Sequence, residues 1–323
     1  MRNDSSMTLT ARNPEDLLAM VPVVLGFMPH DSVVMLTFGA DRSFHARVDL
    51  PADPDDLPAL VQVLLGPARK HGVRRVVLLA YTDDPDLGEQ VTDALRDAFE
   101  DGGIEVIGRI ACNGRRWWAL PRESPDAPGA AYDVSAHPFA AQAVLHGLVT
   151  LTSREELAAT LAPDPAAVAE VSAALGADPR PPGTDQRAAE ASWAAALLRR
   201  SAAEGSRPDA ETVARLLTGM RDLAVRDAAW LTMSRADATA HVELWRDIVR
   251  RTPTQWLAAP ATILGFAAWL AGQGALAWCA VDRGREADPA YHLAKMLAET
   301  LTAAIPPSTW DTISAEPSPG HPA

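Results

Sequence analysis

The stretch VVMLTF at residues 33–38 decides the fold of the first part of the chain, together with FHARVDL at residues 44–50. The first run is almost continuously apolar, which is typical of a strand that is buried on both faces. The second run alternates, so its apolar residues share one face and His45, Arg47 and Asp49 share the other. A five-residue turn at 39–43 separates the two runs, and the pair predicts a β-hairpin.

Strand and helix patterns alternate on both sides of this hairpin. Asn13 and Pro14 are typical of a helix start, and Pro22 is expected to end or kink that helix. After the hairpin, apolar spacing predicts a helix over 57–65, a buried strand over 76–80, a helix over 87–99 and strands over 104–111 and 116–120. This alternation predicts an α/β domain with a mixed sheet. Asn113-Gly114 predicts a two-residue hairpin turn of type I′, in which both central residues have positive φ.

The strand pattern is lost after the Pro-rich loop at 121–129. Helices are expected at residues 137–147, 153–161, 165–175, 186–203, 208–233, 237–251, 255–271, 274–286 and 290–304. Residues 179–183 read as a linker. We therefore predict an α/β domain over 1–135, a helical domain over 136–313 and a disordered tail over 314–323. Small residues and tight turns between 269 and 291 loosely resemble a tetratricopeptide helical hairpin, and an ordinary helical bundle is the alternative.

Composition and charge exclude several classes of function. The chain has 323 residues and a net charge of −13, without the basic excess that a nucleic-acid partner requires. Its 2 cysteines form no CxxC pair, which favours a reducing cytoplasm as the location. The first residues lack the apolar segment of a signal peptide, and glycines interrupt the apolar stretch 260–281, so no membrane association is expected.

Short segments in a fixed order resemble the actinobacterial DUF4192 family, a domain of unknown function. They are spread over nearly the whole chain: LLA at 17–19, LGF at 25–27, DSVV at 31–34, ARVDLP at 46–51, RWW at 116–118, SREEL at 153–157, VRD at 225–227, APA at 259–261 and DP at 288–289 with Tyr291. The resemblance implies no activity. Members of that family often carry Cys-Cys-Pro after the paired tryptophans, whereas this chain has residues 121–128 without cysteine, so no metal site is expected there.

The polar face of the second strand is the first candidate ligand site. His45, Arg47 and Asp49 place an imidazole, a guanidinium and a carboxylate at two-residue spacing, and a guanidinium can hold a phosphate or carboxylate. The alternative is a solvated strand face with an ion pair. We expect Arg47 to be partly covered and paired with a carboxylate, so Arg47→Ala should cost about 2 kcal/mol or more by leaving a buried carboxylate unpaired.

The end of the next buried strand is the second candidate. Tyr81, Asp83 and Asp84 lie where ligands gather in open α/β sheets, and carboxylates there could hold Mg²⁺. The alternative is that Asp83 or Asp84 caps the following helix. His30, Asp31 and Ser32 read as a turn in which Asp31 and Ser32 bond local backbone N–H groups.

Two functions remain open. Because GxxxxGK[ST], HExxH and GxSxG are missing, no cofactor is identified and the sequence favours a non-enzymatic regulatory or adaptor protein with a protein partner. The alternative is a small-ligand sensor or enzyme with a polar site on the α/β domain, near Arg47, Asp49, Tyr81 and Asp83.

Overall fold

The computed structural model describes residues 9–39, 44–145, 149–176 and 183–315. The chain forms two compact units, residues 1–156 with 302–304 and residues 157–301 with 305–323. Most of the predicted turn at 39–43, of the linker at 179–183 and of the tail at 314–323 lies outside the described residues. The predicted domain boundary after residue 135 stays a prediction.

The first unit contains a mixed sheet with helices, as predicted. Its strands in the described residues are β1 (Ser32–Phe38), β2 (His45–Asp49), β3 (Arg75–Tyr81), β4 (Glu105–Cys112), β5 (Arg116–Ala119) and β6 (Ala130–Ala131). Its helices there are α1 (Pro14–Leu25), α2 (Leu57–Lys70), α3 (Pro85–Asp101) and α4 (Pro138–Leu145), and α5 (Arg154–Ala159) crosses the boundary between the units.

The strand order is β2-β1-β3-β4-β5-β6. The neighbours β3 and β4 are parallel, and the other neighbouring pairs are antiparallel. The predicted hairpin of β1 and β2 is therefore confirmed. Because β3 and β4 run in parallel, their carboxyl ends lie at the same edge of the sheet, which is also where β1 begins and β2 ends.

Apolar clusters cover both faces of this sheet. On one face Val33 and Met35 of β1 pack with residues of α2 and α3, including Leu64 and Phe99. On the other face the alternate residues of β1 pack with α1, through side chains such as Val21. The alternation of β1 thus assigns each of its side chains to one of two helix-covered faces.

Local sequence explains most of the helix boundaries, with one exception in α1. The Asn13 side chain accepts a hydrogen bond from the Asp16 N–H and caps the helix, as predicted. Pro22 does not end α1, which continues to Leu25 and stops at Gly26, where φ is 81°. A glycine with positive φ closes a helix without the steric penalty of a Cβ, so Gly26 is the stop signal.

The hairpin between β4 and β5 forms, but its predicted turn type is wrong. The Asn113 N–H donates to the Arg116 carbonyl oxygen over 3.1 Å, which makes Gly114 and Arg115 the central residues. Gly114 has a φ of 83°, and Asn113 and Arg115 are not among the described residues with positive φ. One positive φ at the first central position is the feature of a type II′ turn. The Asn113 carboxamide fixes this arrangement by accepting from the Arg115 and Arg116 N–H groups.

The second unit is all-helical in the described residues, as predicted. Its helices there are α6 (Pro165–Leu175), α7 (Arg187–Glu204), α8 (Ala210–Gly219), α9 (Leu223–Leu231), α10 (Ala238–Arg251), α11 (Ala258–Leu270), α12 (Gly274–Ala287), α13 (His292–Thr302) and α14 (Thr309–Ala315). The single helix predicted over 208–233 is wrong, because Asp222 accepts from the Ala224 N–H and starts a new helix. The sequence analysis also missed α14.

Helix α11 lies at the centre of this unit. Every residue from Pro260 to Leu270 is buried, and α10 and α12 pack against the helix. The rings of Trp230, Phe266 and Trp310 form an aromatic cluster, with neighbouring centroids 4.9–5.3 Å apart. The tetratricopeptide resemblance stays a prediction. Among the described residues, no helix combines the length and the apolar character that a membrane span needs.

Candidate functional site

A row of side chains crosses the sheet at the edge where β3 and β4 end. The strand register places Ser32 of β1 opposite Tyr81 of β3, Tyr81 beside Cys112 of β4, and Cys112 opposite Trp117 of β5. Tyr81, Cys112 and Trp117 pack on the face that α1 covers, and the alternation of β1 puts Ser32 on the same face. We call these four residues the polar row.

The hydroxyl groups of Ser32 and Tyr81 are buried without a hydrogen-bond partner. Ser32 is 0% exposed and Tyr81 is 2% exposed, and neither hydroxyl oxygen reaches a donor or an acceptor with acceptable geometry. The predicted bond from Ser32 to a local backbone N–H is therefore wrong. An unmade hydrogen bond of a buried polar group costs about 1–3 kcal/mol, so two neighbouring ones need an explanation.

Tyr132 brings a third hydroxyl to the same place. Its oxygen is buried and makes no hydrogen bond of good geometry. The Cys112 thiol lies close enough for weak hydrogen bonding with the hydroxyls of both Tyr81 and Tyr132, and the Gly114 N–H interacts in the same way with Tyr132. Burial raises the pKa of the Cys112 thiol to about 12 and also raises the pKa of both tyrosines. All three groups are therefore neutral near pH 7.

The row becomes more open towards β5. Ser32, Tyr81 and Cys112 are buried, whereas Trp117 and Tyr132 are partly exposed. The Trp117 indole nitrogen is nevertheless buried without a partner. By contrast, the Trp118 indole N–H donates to the Ala127 carbonyl oxygen over 2.9 Å. Of these two adjacent tryptophans, Trp117 leaves its indole N–H without an acceptor and Trp118 does not.

Arg47 and Asp49 lie at the other end of the row. Asp49 is opposite Ser32, and its Oδ1 is 2.6 Å from Nη2 of Arg47, so the expected ion pair is present. The Arg47 side chain is 15% exposed; it also donates to the His30 carbonyl oxygen over 3.3 Å, while its Nε is buried without a partner. Asp49 is 76% exposed, so the expectation of a buried carboxylate was wrong.

The surroundings of Arg47 carry two carboxylates. Besides Asp49, Glu155 lies close enough for Arg47 to contribute to the lowering of its pKa, although hydrogen bonds from its own backbone N–H and from Ser153 have larger effects. The Phe27 ring lies 6.0 Å from the guanidinium carbon. The positive charge of Arg47 is thus already balanced within the unit.

His45 lies on the same face of β2 as Arg47, but it precedes Arg47 by two residues and is therefore farther from the polar row. Its Nδ1 accepts the Thr37 N–H over 3.4 Å, which requires an unprotonated nitrogen. Burial lowers the pKa of His45 to about 4. The structure therefore gives His45 a role in the hairpin and does not bring it into the polar row.

The carboxylates that follow β3 lie outside the row. Asp84 accepts the N–H groups of Asp86 and Leu87 over 3.0 and 3.2 Å and caps α3, and Asp83 is exposed. Helix α3 packs on the opposite face of the sheet, so this capping interpretation replaces the Mg²⁺ alternative. Within the described part of the chain, no three His, Cys, Asp or Glu residues are arranged to hold a metal ion.

The sequence analysis identified Tyr81 as a candidate and interpreted Ser32 as a turn residue, but it did not connect the two with each other or with Cys112. Ser32 is the first residue of β1 and Cys112 is the last residue of β4, and these strand-end positions of two small polar residues are the signal that could have connected them. Asp31, directly before Ser32, has a φ of 40°. Non-glycine residues with positive φ have a strained backbone, and such residues are often found at functional sites.

Comparisons with known proteins give a family without an activity. No curated protein and no solved structure matches the chain significantly. The profile of a family described as a domain of unknown function, DUF4192, matches residues 14–308. The chain therefore belongs to the DUF4192 family.

Proposed function

We propose that the chain binds a small polar molecule at the polar row. The observation that carries this proposal is the pair of buried hydroxyls on Ser32 and Tyr81, which have no hydrogen-bond partner within the protein. A ligand that bonds to them would remove the free-energy cost of both groups. The location supports the proposal, because ligands of open α/β sheets bind at the carboxyl ends of the strands.

Binding is favoured over catalysis by the protonation states in the row. Nucleophilic attack by a cysteine requires the thiolate, and the pKa of Cys112 is raised to about 12 by burial. The tyrosine hydroxyls also keep their protons near neutral pH, because burial raises their pKa. The proposed activity is therefore that of a ligand-binding sensor, with Arg47 and Asp49 at the edge of the site.

Native mass spectrometry of the full chain tests this proposal. We expect the wild-type chain to carry a bound small molecule, and the combined variant Ser32→Ala/Tyr81→Phe to lose it. The control Tyr291→Phe changes a buried hydroxyl of the other unit and should keep the molecule. A wild-type mass equal to that of the polypeptide alone, or an adduct that survives in the combined variant, contradicts the proposal.

A second candidate function is the binding of a protein partner, as in the adaptor hypothesis. The observation that favours it is the exposure of three apolar side chains at or after the end of α4: Val144 and Leu145 of the helix are 70% and 86% exposed, and Val149 is 72% exposed. Exposed apolar patches often mark interaction surfaces. Light scattering of the wild type and of Leu145→Glu tests the case of a second copy as partner, for which the variant should have the lower mass.

A further inference from the structure

We infer that the ligand of the polar row is an uncharged, flat molecule of about one aromatic ring that presents hydrogen-bond acceptors. This inference rests on the proposed function and adds the chemical class of the ligand. It follows from three properties of the row: the charge of its side chains, the kind of hydrogen bond that they leave unmade, and the aromatic rings that line it.

The charges exclude an ion as the favoured ligand. Between Ser32 and Trp117 the row contains neutral side chains only, and most of them are buried. Burying a charge among neutral groups is costly unless an opposite charge pairs with it. Arg47 does not supply that charge, because Asp49 already pairs with it and Glu155 lies nearby.

The side chains without hydrogen-bond partners require acceptor groups on the ligand. The indole nitrogen of Trp117 can only donate, and it is buried without an acceptor. The hydroxyls of Ser32, Tyr81 and Tyr132 can each donate or accept, and none of them makes a hydrogen bond of good geometry within the protein. The two tyrosine hydroxyls interact only weakly with the Cys112 thiol. Carbonyl oxygens or unprotonated ring nitrogens would satisfy all four groups, whereas a ligand that only donates would leave Trp117 unpaired.

The rings and the width of the row limit the shape of the ligand. Tyr81, Trp117 and Tyr132 belong to one apolar cluster on this face, so a flat ring would find aromatic contacts. Tyr81 and Trp117 are separated by one strand, which is about 10 Å between their backbones at a strand spacing of about 4.8 Å. A ring with one polar substituent is no longer than this backbone separation, and the partial exposure of Trp117 and Tyr132 places the entrance of the site at the β5 side.

Three probe molecules of similar shape and different charge test which charge of ligand the row prefers. Benzamide, benzoate and benzamidinium share a ring and a planar head group, and they carry no charge, a negative charge and a positive charge. Saturation-transfer NMR with the full chain, each probe titrated to millimolar concentration, measures their dissociation constants. We expect benzamide to bind at least about tenfold more tightly than either ion, because the row offers no opposite charge.

Two variants connect that binding to the row. Trp117→Phe removes the indole N–H and keeps a ring, and Tyr81→Phe removes one hydroxyl. Each should weaken benzamide binding several-fold, whereas Tyr291→Phe in the other unit should not. Thermal unfolding of each variant checks that it is folded.

The outcomes separate this inference from the proposed function. Tighter binding of benzoate or benzamidinium, weakened by Tyr81→Phe, would overturn the charge class and leave a ligand site at the row. Benzamide binding that neither variant weakens would overturn the assignment to the row. If none of the probes binds, the inference on ligand class fails, and the native mass measurement still decides whether the row holds any molecule.

Discussion

Ser32 lies directly opposite Tyr81 in the antiparallel pairing of β1 with β3, and the hydroxyl groups of both are buried without a hydrogen-bond partner. Directly opposed residues have Cβ atoms about 4.5–5.5 Å apart, so the two groups belong to one small region. Most buried polar groups in folded proteins are satisfied, and this unsatisfied pair at a strand end is the observation on which the proposed ligand site rests.

The turn at Gly114 gives a prediction on backbone strain. Gly114 has a φ of 83°, and a Cβ there would meet no atom within 4 Å, so any penalty comes from the backbone alone. Gly114→Ala should lower the free energy of unfolding by about 1–2 kcal/mol. Urea denaturation measures this change. The control Gly66→Ala, in the interior of α2 with open space around it, should raise stability by up to about 1 kcal/mol. Equal effects of the two substitutions would contradict the turn geometry.

His45 predicts a loss of stability in acid. Burial lowers its pKa to about 4 in the folded chain from the ordinary value of 6.5, so between these pH values the unfolded chain takes up a proton that the folded chain does not. Stability is fully present above pH 6.5 and falls as the pH decreases towards 4, by up to about 3 kcal/mol. Unfolding free energies measured across this range should show a shallower slope for His45→Gln. Equal slopes for the wild type and His45→Gln would contradict this account of His45.

Arg47→Ala should destabilise the chain by about 1 kcal/mol, less than the sequence analysis predicted. Asp49 is largely exposed, so it remains hydrated when the guanidinium is removed, and exposed ion pairs contribute about 0–1 kcal/mol. The loss then comes mainly from the apolar stem of the Arg47 side chain, which is largely buried. Arg47→Met keeps most of that stem and should restore part of the stability in the same denaturation assay. A loss above about 3 kcal/mol would indicate a buried unpaired charge instead.

The sequence predicted the fold class because its patterns are local. The alternation in residues 44–50 and the apolar run at 33–38 specify β2 and β1 directly, and their pairing follows from the short turn between them. The break at Asp222 was missed because a capping aspartate inside a continuous helical pattern resembles an exposed polar residue. Pro22 was expected to end or kink α1, and the helix continues to Leu25 because the residues after Pro22 remain apolar and pack on the sheet.

The candidate site was harder to predict because it depends on strand order. Ser32, Tyr81 and Cys112 come from three separate strands, and only the order β1-β3-β4 with its register places them side by side. Asp83 and Asp84 were candidates because they are charged residues that follow a strand, yet Asp84 caps α3 and Asp83 is exposed, and both lie outside the row. Unpartnered hydroxyls have no sequence signature, since the same residues would be ordinary if their partners were present.

The stability of Tyr81→Phe, compared with a matched buried hydroxyl, tests the central claim most directly. The Thr92 hydroxyl is also buried, but it donates to the Gly88 carbonyl oxygen over 2.8 Å, so Thr92→Val should lower the free energy of unfolding by about 1 kcal/mol. If the Tyr81 hydroxyl is kept for a ligand, Tyr81→Phe should instead raise the free energy of unfolding of the ligand-free chain by about 1 kcal/mol. A loss of stability equal to that of Thr92→Val would show that the Tyr81 hydroxyl is already satisfied within the protein and would contradict the account.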